Sequence, residues 1–243
     1  MLRLFVVACL AVFLIPAGTA LAVSSTYTQN WDDSSAGTAG WVGVIANTAA
    51  SWGDTGGNPD GFLRTTLQNA GGVRDVGPRA LRAIPDLIGD YSQAAWTMNF
   101  DIMLEEGSLN AAVVRLRGQP SLGGGWVADL GTLPSVGSGW MAASVSFDGG
   151  WSEAQARANG WMPDNEHPDL APNAQDSMSW AETLVNVRAV SIRLSGNAPV
   201  LTSGIDNFAL SSRPLVPTPE PSAAILIGLG LCALAGRRDS RAS

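Results

Sequence analysis

Residues 96–104 read Trp96-Thr97-Met98-Asn99-Phe100-Asp101-Ile102-Met103-Leu104. Trp96, Met98, Phe100, Ile102 and Leu104 fall on one face, and Thr97, Asn99, Asp101 and Met103 on the other. A two-residue rhythm belongs to a half-buried β-strand, whereas a helix repeats its apolar positions at three and four. The same rhythm returns at Val190-Ser191-Ile192-Arg193-Leu194-Ser195, at 207–210 and at 144–147. Shorter strands are expected at 27–31, 41–45, 62–67, 111–116 and 126–130. Clusters of Gly, Asp, Asn and Ser at 53–61, 71–72, 118–125 and 137–139 supply turns between them. About nine short strands with such punctuation predict an all-β domain, a sandwich or a barrel. One short helix is expected at 179–187, with Ser179 as its cap and Glu182 three residues on.

Composition agrees with this class. Charged residues make up 14% of the 243-residue chain, against about 25% in an average globular protein. Gly (28) and Pro (14) are abundant, and nine of the few aromatic residues are Trp. The net charge of −7 comes with no basic run. Such a surface repels phosphate backbones, which argues against a nucleic-acid partner. The two cysteines, Cys9 and Cys232, lie in apolar terminal stretches. The region between them therefore has no disulfide, thiol nucleophile or cysteine-based zinc site.

The ends read as addresses. Met1-Leu2-Arg3, the apolar run 4–15, the breakers Pro16 and Gly18, and Ala20-Leu21-Ala22 form a signal peptide, 1–22. Signal peptidase is expected to cut after Ala22, within the small-x-small pattern of Ala20 and Ala22. The body of the chain, 23–213, is one β-sandwich domain. The tail, 214–243, starts with a stiff spacer in which Pro214, Pro217, Pro219 and Pro221 favour an extended polyproline conformation. An apolar helix, 222–236, and a positive stop, Arg237-Arg238, follow. An uncleaved anchor at either end is the other reading of these segments. Both apolar runs fall short of the roughly 20 residues of a stable membrane-spanning helix.

The order Pro219-Glu220-Pro221, short Gly-containing apolar helix and terminal Arg237-Arg238 resembles the PEP-CTERM sorting signal. Only the residues 239–243 beyond the arginines depart from it. The resemblance implies an exosortase-type membrane protease as partner, transient inner-membrane anchoring, delivery to the envelope or outside the cell, and association with exopolysaccharide. A second resemblance runs through the body. Residues 53–63 (Gly53-Asp54-Thr55-Gly56-Gly57-Asn58-Pro59-Asp60-Gly61-Phe62-Leu63), 86–90 with the strand 96–102, 182–194 and 204–210 are similar, in order, to blocks of laminin IV type A (laminin B) domains. That family implies a single jelly-roll-like, galactose-binding-type sandwich without enzymatic activity. The acidic, Pro-containing stretch 161–175 departs from it and is expected to be an inserted loop.

Few residues suggest chemistry. Asp54, Asn58 and Asp60 in a glycine-rich turn offer hard oxygens to a structural calcium ion. By analogy with related sandwiches, Asp32, Asp33 and Asp206 are expected to join them. The alternative is that Asp and Asn stand there because they favour turns. Trp126, Trp140, Trp151, Trp161 and Trp180, near expected loops or strand ends, are candidate platforms for stacking on sugar rings. The alternative is core packing. Gly53-Asp54-Thr55-Gly56-Gly57 is similar to the nucleophile loop of chymotrypsin-like proteases, but Thr55 stands where the serine belongs. The lone His167 sits among Asp164, Glu166 and Asp169 in a segment read as a solvated loop. Glu105 and Glu106 are adjacent, so they point to opposite faces of a strand. No catalytic residue and no cofactor other than calcium is expected. A structural or adhesive role at the cell surface comes first, a carbohydrate-binding module second, and a secreted hydrolase third.

Overall fold

Residues Ala94–Glu106 form β7, whose side chains at 96, 98, 100 and 102 all enter the core. The computed structural model describes residues 25–45, 47–68, 74–118, 124–170 and 178–215. The signal segment with Ala20 and Ala22, and the tail with Pro219, Glu220, Pro221, Arg237 and Arg238, lie outside the described residues. Among the described residues no helix is long and apolar enough to cross a membrane.

Two antiparallel sheets face one another in a β-sandwich. In the first, β10 (Met141–Asp148), β7, β13 (Val200–Pro214), β4 (Phe62–Gln68) and β3 (Thr48–Gly53) pair in that order. Here β1 (Thr26–Gln29) pairs with the far half of β13, Thr26 opposite Ser211. The second sheet runs β11 (Trp161–Pro163), β9 (Gly125–Asp129), β8 (Leu109–Arg117), β12 (Ala189–Gly196), β6 (Pro78–Ala80) and β2 (Val42–Gly43). There β5 (Arg74–Val76) pairs with the end of β12. Met98, Phe100, Ile102, Leu201, Ile205 and Phe208 from one sheet meet Leu116, Val114, Val190, Ile192 and Leu194 from the other in one apolar cluster. Burying such side chains contributes about 1.5–3 kcal/mol each, and no disulfide is available to assist.

Several expectations need correction. The stretch 41–45 contains a strand of only two residues, although Trp41 is buried in the core. Helix α1 (Glu153–Ala158) was not anticipated; Ser152 and Gln155 cap it reciprocally. Helix α2 (Trp180–Val185) forms with Ser179 and Glu182 in the same arrangement. Strand β12 is buried at every position, so Ser191, Arg193 and Ser195 do not face solvent.

The stretch read as a solvated insertion packs instead on β8 and β9. Residues 161–163 are strand β11, and 164–170 fold back over the second sheet. Asp164 is buried and ion-paired with Arg115. Its N–H donates to the Gly125 carbonyl at 2.9 Å, and its carboxylate accepts from the Gly125 N–H at 3.2 Å. His167, also buried, places Nε2 3.1 Å from Asp129 Oδ1. Leu170 packs on Ala111, Val113 and Val127 in a second apolar cluster. Farther along, Arg193 Nη2 donates to Asp75 Oδ2 at 2.5 Å. Desolvation makes each of these charges costly to bury alone, so they are buried in pairs.

Candidate functional site

Four of the tryptophans singled out from the sequence converge. Strand β9 turns Trp126 toward the core opposite Leu116, β11 does the same for Trp161 opposite Ala128, and α2 brings in Trp180. Trp180 lies 5.3 Å from both Trp126 and Trp161, ring centre to ring centre, and Trp151 stacks on it at 6.4 Å. Phe147 of β10 closes the cluster at 5.4 Å from Trp161. Indole N–H groups of Trp126 and Trp161 are engaged by the carbonyls of Met178 (2.9 Å) and Ser146 (3.0 Å). Edge-to-face pairs of this kind contribute about 0.5–1.5 kcal/mol beyond their buried area.

A cleft of about 350 Å³ opens above this cluster, lined by Trp126, Glu153, Arg157, Asn165, Glu166 and Ser179 among others. Helix α1 puts Glu153 one turn before Arg157, and their side chains meet at 3.2 Å. The Arg157 guanidinium also takes both oxygens of Glu166, at 2.6 and 3.0 Å, and lies 5.4 Å over the Trp126 ring. Glu166 is held below the ordinary carboxylate value by the hydrogen bond from Arg157, and the Arg157 guanidinium is raised by the same bond. A general acid for glycoside hydrolysis needs the opposite shift, a carboxyl that keeps its proton near neutral pH. Two carboxylates tied to one guanidinium present hydrogen-bonding groups at the rim of an aromatic floor.

The five candidate stacking platforms separate on burial. Trp126, Trp161 and Trp180 are buried, Trp126 beneath Arg157, so no bare face of theirs meets solvent. Trp151 and Trp140 are half-buried. Trp140 stands apart, just before β10, 5.4 Å from Phe62, with its N–H donating to the Gly56 carbonyl at 2.8 Å. Sequence rhythm identified none of Glu153, Arg157, Asn165 or Ser179 as site residues. The one signal for α1 was the Ser152-x-x-Gln155 pair, a capping box like the one read at 179–182.

Of the six calcium candidates, the structure brings Asn58 to Asp206, with Asp32 near enough to Asp206 to act on its charge. Among the described residues no three His, Cys, Asp or Glu side chains gather as a metal set. Asn58 and Asp206 do meet, but as a latch. Asp206 is buried, and its carboxylate accepts the N–H of Asn58 and that of Asn207, both at 2.7 Å. The Asn207 side chain donates to Asn58 O at 2.5 Å and to Asp101 Oδ2 at 2.9 Å. Asn207 has φ of 50°, a left-handed conformation that Asn tolerates, within a β-bulge. Donated N–H groups thus take up much of the acceptor capacity of this carboxylate. Asp33 caps a 3-10 turn through the Ser35 N–H at 2.8 Å, Asp32 accepts from Asn30 at 2.6 Å, and Asp54 accepts from Thr55 at 3.4 Å. Asp60 is exposed.

No family model matches the sequence, and no curated protein matches it. Solved structures do resemble the fold. The CBM22-1 xylan-binding domain of Paenibacillus barcinonensis Xyn10C is similar over 82% of this chain and 98% of its own, at 11% identity and a TM-score of 0.46. The family 11 carbohydrate-binding module of the Clostridium thermocellum cellulase Lic26A-Cel5E covers 81% and 100%, at 11% identity and a TM-score of 0.48. An exo-beta-agarase matches over 74% of this chain and 24% of its own, at 18% identity and a TM-score of 0.44. Likenesses this distant describe an arrangement of strands and no ligand.

Proposed function

We propose that this chain is an exported, non-catalytic β-sandwich that holds polysaccharide at the cell surface or in its surrounding matrix. The supporting observation is the open cleft over Trp126. Its floor is aromatic, and its rim offers Arg157, Glu153, Glu166, Asn165 and Ser179 as donors and acceptors for hydroxyl groups. A pyranose has one apolar face and a polar edge, and this arrangement complements both. The guanidinium over Trp126 occupies the place of a stacked sugar, and such a contact contributes from about 0.5 kcal/mol in water to about 2 kcal/mol when desolvated. A ligand that swings Arg157 aside gains the ring face and leaves Glu153 and Glu166 free to accept hydroxyls.

A glycan array probed with the full chain, with and without a chelator, tests this reading. Binding to a defined polysaccharide that Arg157→Ala alters supports it. A flat array overturns it and returns the chain to a purely structural or adhesive role. Calcium enters the same test, since a structural ion would make binding chelator-sensitive.

Export and sorting belong to the same proposal. Signal peptidase removes 1–22, and an exosortase-type protease releases the body near Pro219-Glu220-Pro221 after transient anchoring through 222–236 and Arg237-Arg238. The support is the order of these motifs in the sequence. Mass spectrometry of the native protein is expected to find Val23 at the start and an end near residue 221. Recovery of both termini intact would overturn this part.

A further inference from the structure

The side chain of Arg157 fills the cleft over Trp126 in the way a ligand would. One of its atoms, Nη2, lies 3.2 Å from Glu153 Oε1 and 3.0 Å from Glu166 Oε1. Its guanidinium carbon stands 5.4 Å over the centre of the Trp126 ring. A single nitrogen is thus a cation held between two carboxylates, above an aromatic face. The Arg157, Glu153 and Glu166 side chains are 40%, 47% and 50% exposed. Ion pairs so open to water are weak, so Arg157 can be exchanged for another cation.

The charges of the cleft do not balance. Among the described residues that line it, Glu153 and Glu166 face one guanidinium. Glu182 adds a further carboxylate at the rim, where it accepts the Ser179 hydroxyl at 2.7 Å. Carboxylates are ionised at neutral pH, and their excess repels uronic and sulfated sugars. A neutral sugar that displaced Arg157 would give Glu153 and Glu166 hydroxyl donors in place of charged ones. Charge-assisted hydrogen bonds are roughly twice as strong as neutral ones. An ammonium replaces the guanidinium in kind. Its N–H donors can bond both carboxylates at once, and its charge is attracted by the indole face. The sugar ring that carries it lays its own apolar face on the same indole. We propose that the cleft takes a protonated amino sugar of a hexosamine polymer with free amino groups, its ammonium standing where Arg157 Nη2 now stands. Arg157 is then a built-in competitor that holds the place until the polymer arrives. This rests on the polysaccharide-binding reading and narrows its substrate class.

The test is isothermal titration of the full chain with a glucosamine hexamer, its N-acetylated counterpart, a neutral glucose hexamer, and spermidine as an amine without a sugar ring. The glucosamine hexamer is expected to bind about tenfold or more tighter than the other three, and salt should weaken it, as screening requires. The two ends of one ion pair should act with opposite signs. Arg157→Ala removes the competitor and should tighten glucosamine binding about threefold or more, whereas Glu166→Gln should weaken it about tenfold or more. Melting curves check that each variant folds, and Glu153→Gln is the replacement if Glu166→Gln does not. Arg157→Ala that weakens glucosamine binding makes the guanidinium a contact and overturns the inference. Spermidine binding as tight as that of the glucosamine hexamer overturns it too, because charge alone then suffices. Equal or tighter binding of the acetylated or neutral hexamer overturns the charge inference and leaves the polysaccharide reading standing. Binding of none of the hexamers, together with a flat glycan array, overturns both.

Discussion

The N–H of Asn58 donates to the carboxylate of Asp206 at 2.7 Å across 148 positions of chain. This bond, with those from Asn207 and the Trp31 backbone to the same carboxylate, ties the glycine-rich loop to the bulge in β13. Asp206→Ala leaves several donors unsatisfied at a buried position, each at about 1–3 kcal/mol. The expected result is a loss of about 3 kcal/mol or more by urea unfolding. Burial raises the Asp206 carboxyl above its ordinary 3.8 despite these donors. The native state therefore takes up this proton before the unfolded chain does. Stability from this residue is full below pH 3.8 and declines as pH rises through the raised value. Asp206→Asn should abolish that decline, and unfolding curves collected between pH 3 and 6 would show whether it does.

Asp164 and Arg115 form a buried ion pair on the outer face of the second sheet. Arg115 is pushed down to about 10, chiefly by burial, with the Asp164 charge opposing the shift. Asp164→Ala is expected to cost about 3–5 kcal/mol, the range for stranding one member of a buried pair. Asp164→Ala with Arg115→Met should recover much of that loss. A double mutant no more stable than Asp164→Ala would show that the pair is not what holds segment 164–170 down.

Arg157 shields Trp126 from above. Arg157→Ala should change stability by less than about 1 kcal/mol, because its ion pairs are exposed. It should nevertheless increase acrylamide quenching of tryptophan fluorescence. The same change should return the Glu166 carboxyl toward its ordinary 4.5, measurable by NMR titration. In the intact protein this contact contributes stability above that ordinary value, and the contribution fades as pH falls through the depressed one.

Gly77 links β5 and β6 at φ 124°, and a Cβ there would stand 2.1 Å from the Ile192 carbonyl oxygen. Backbone cannot yield as a side chain can, so Gly77→Ala is expected to lower the melting temperature by about 10 °C or more, as several kcal/mol of strain would. A shift under about 2 °C would mean that the turn has an alternative path.

Strand β7 was legible because its rhythm depends only on which residues alternate. The limit of that reading shows at β12. There the alternation is present, but the supposed solvent face is buried, with Arg193 paired to Asp75 of β5, a contact between residues that no local pattern connects. Trp126, Trp161 and Trp180 illustrate the same limit. Their positions at strand or helix ends suggested exposure, yet they meet one another in three dimensions and fill the core. The α2 cap was read from Ser179 and Glu182. The equivalent cap at Ser152 and Gln155 passed unread, and with it Glu153 and Arg157 of the cleft.

Strand β13 is the last in the described chain, and it sits inside the first sheet, between β7 on one side and β4 and β1 on the other. Its partners are synthesised long before it, so they wait with bare edges, and the sheet closes only when residues 200–214 arrive. Long-range pairing of this kind is slow to form. A polypeptide that stays open until its final stave is set is also one that can still be threaded lengthwise through a narrow pore.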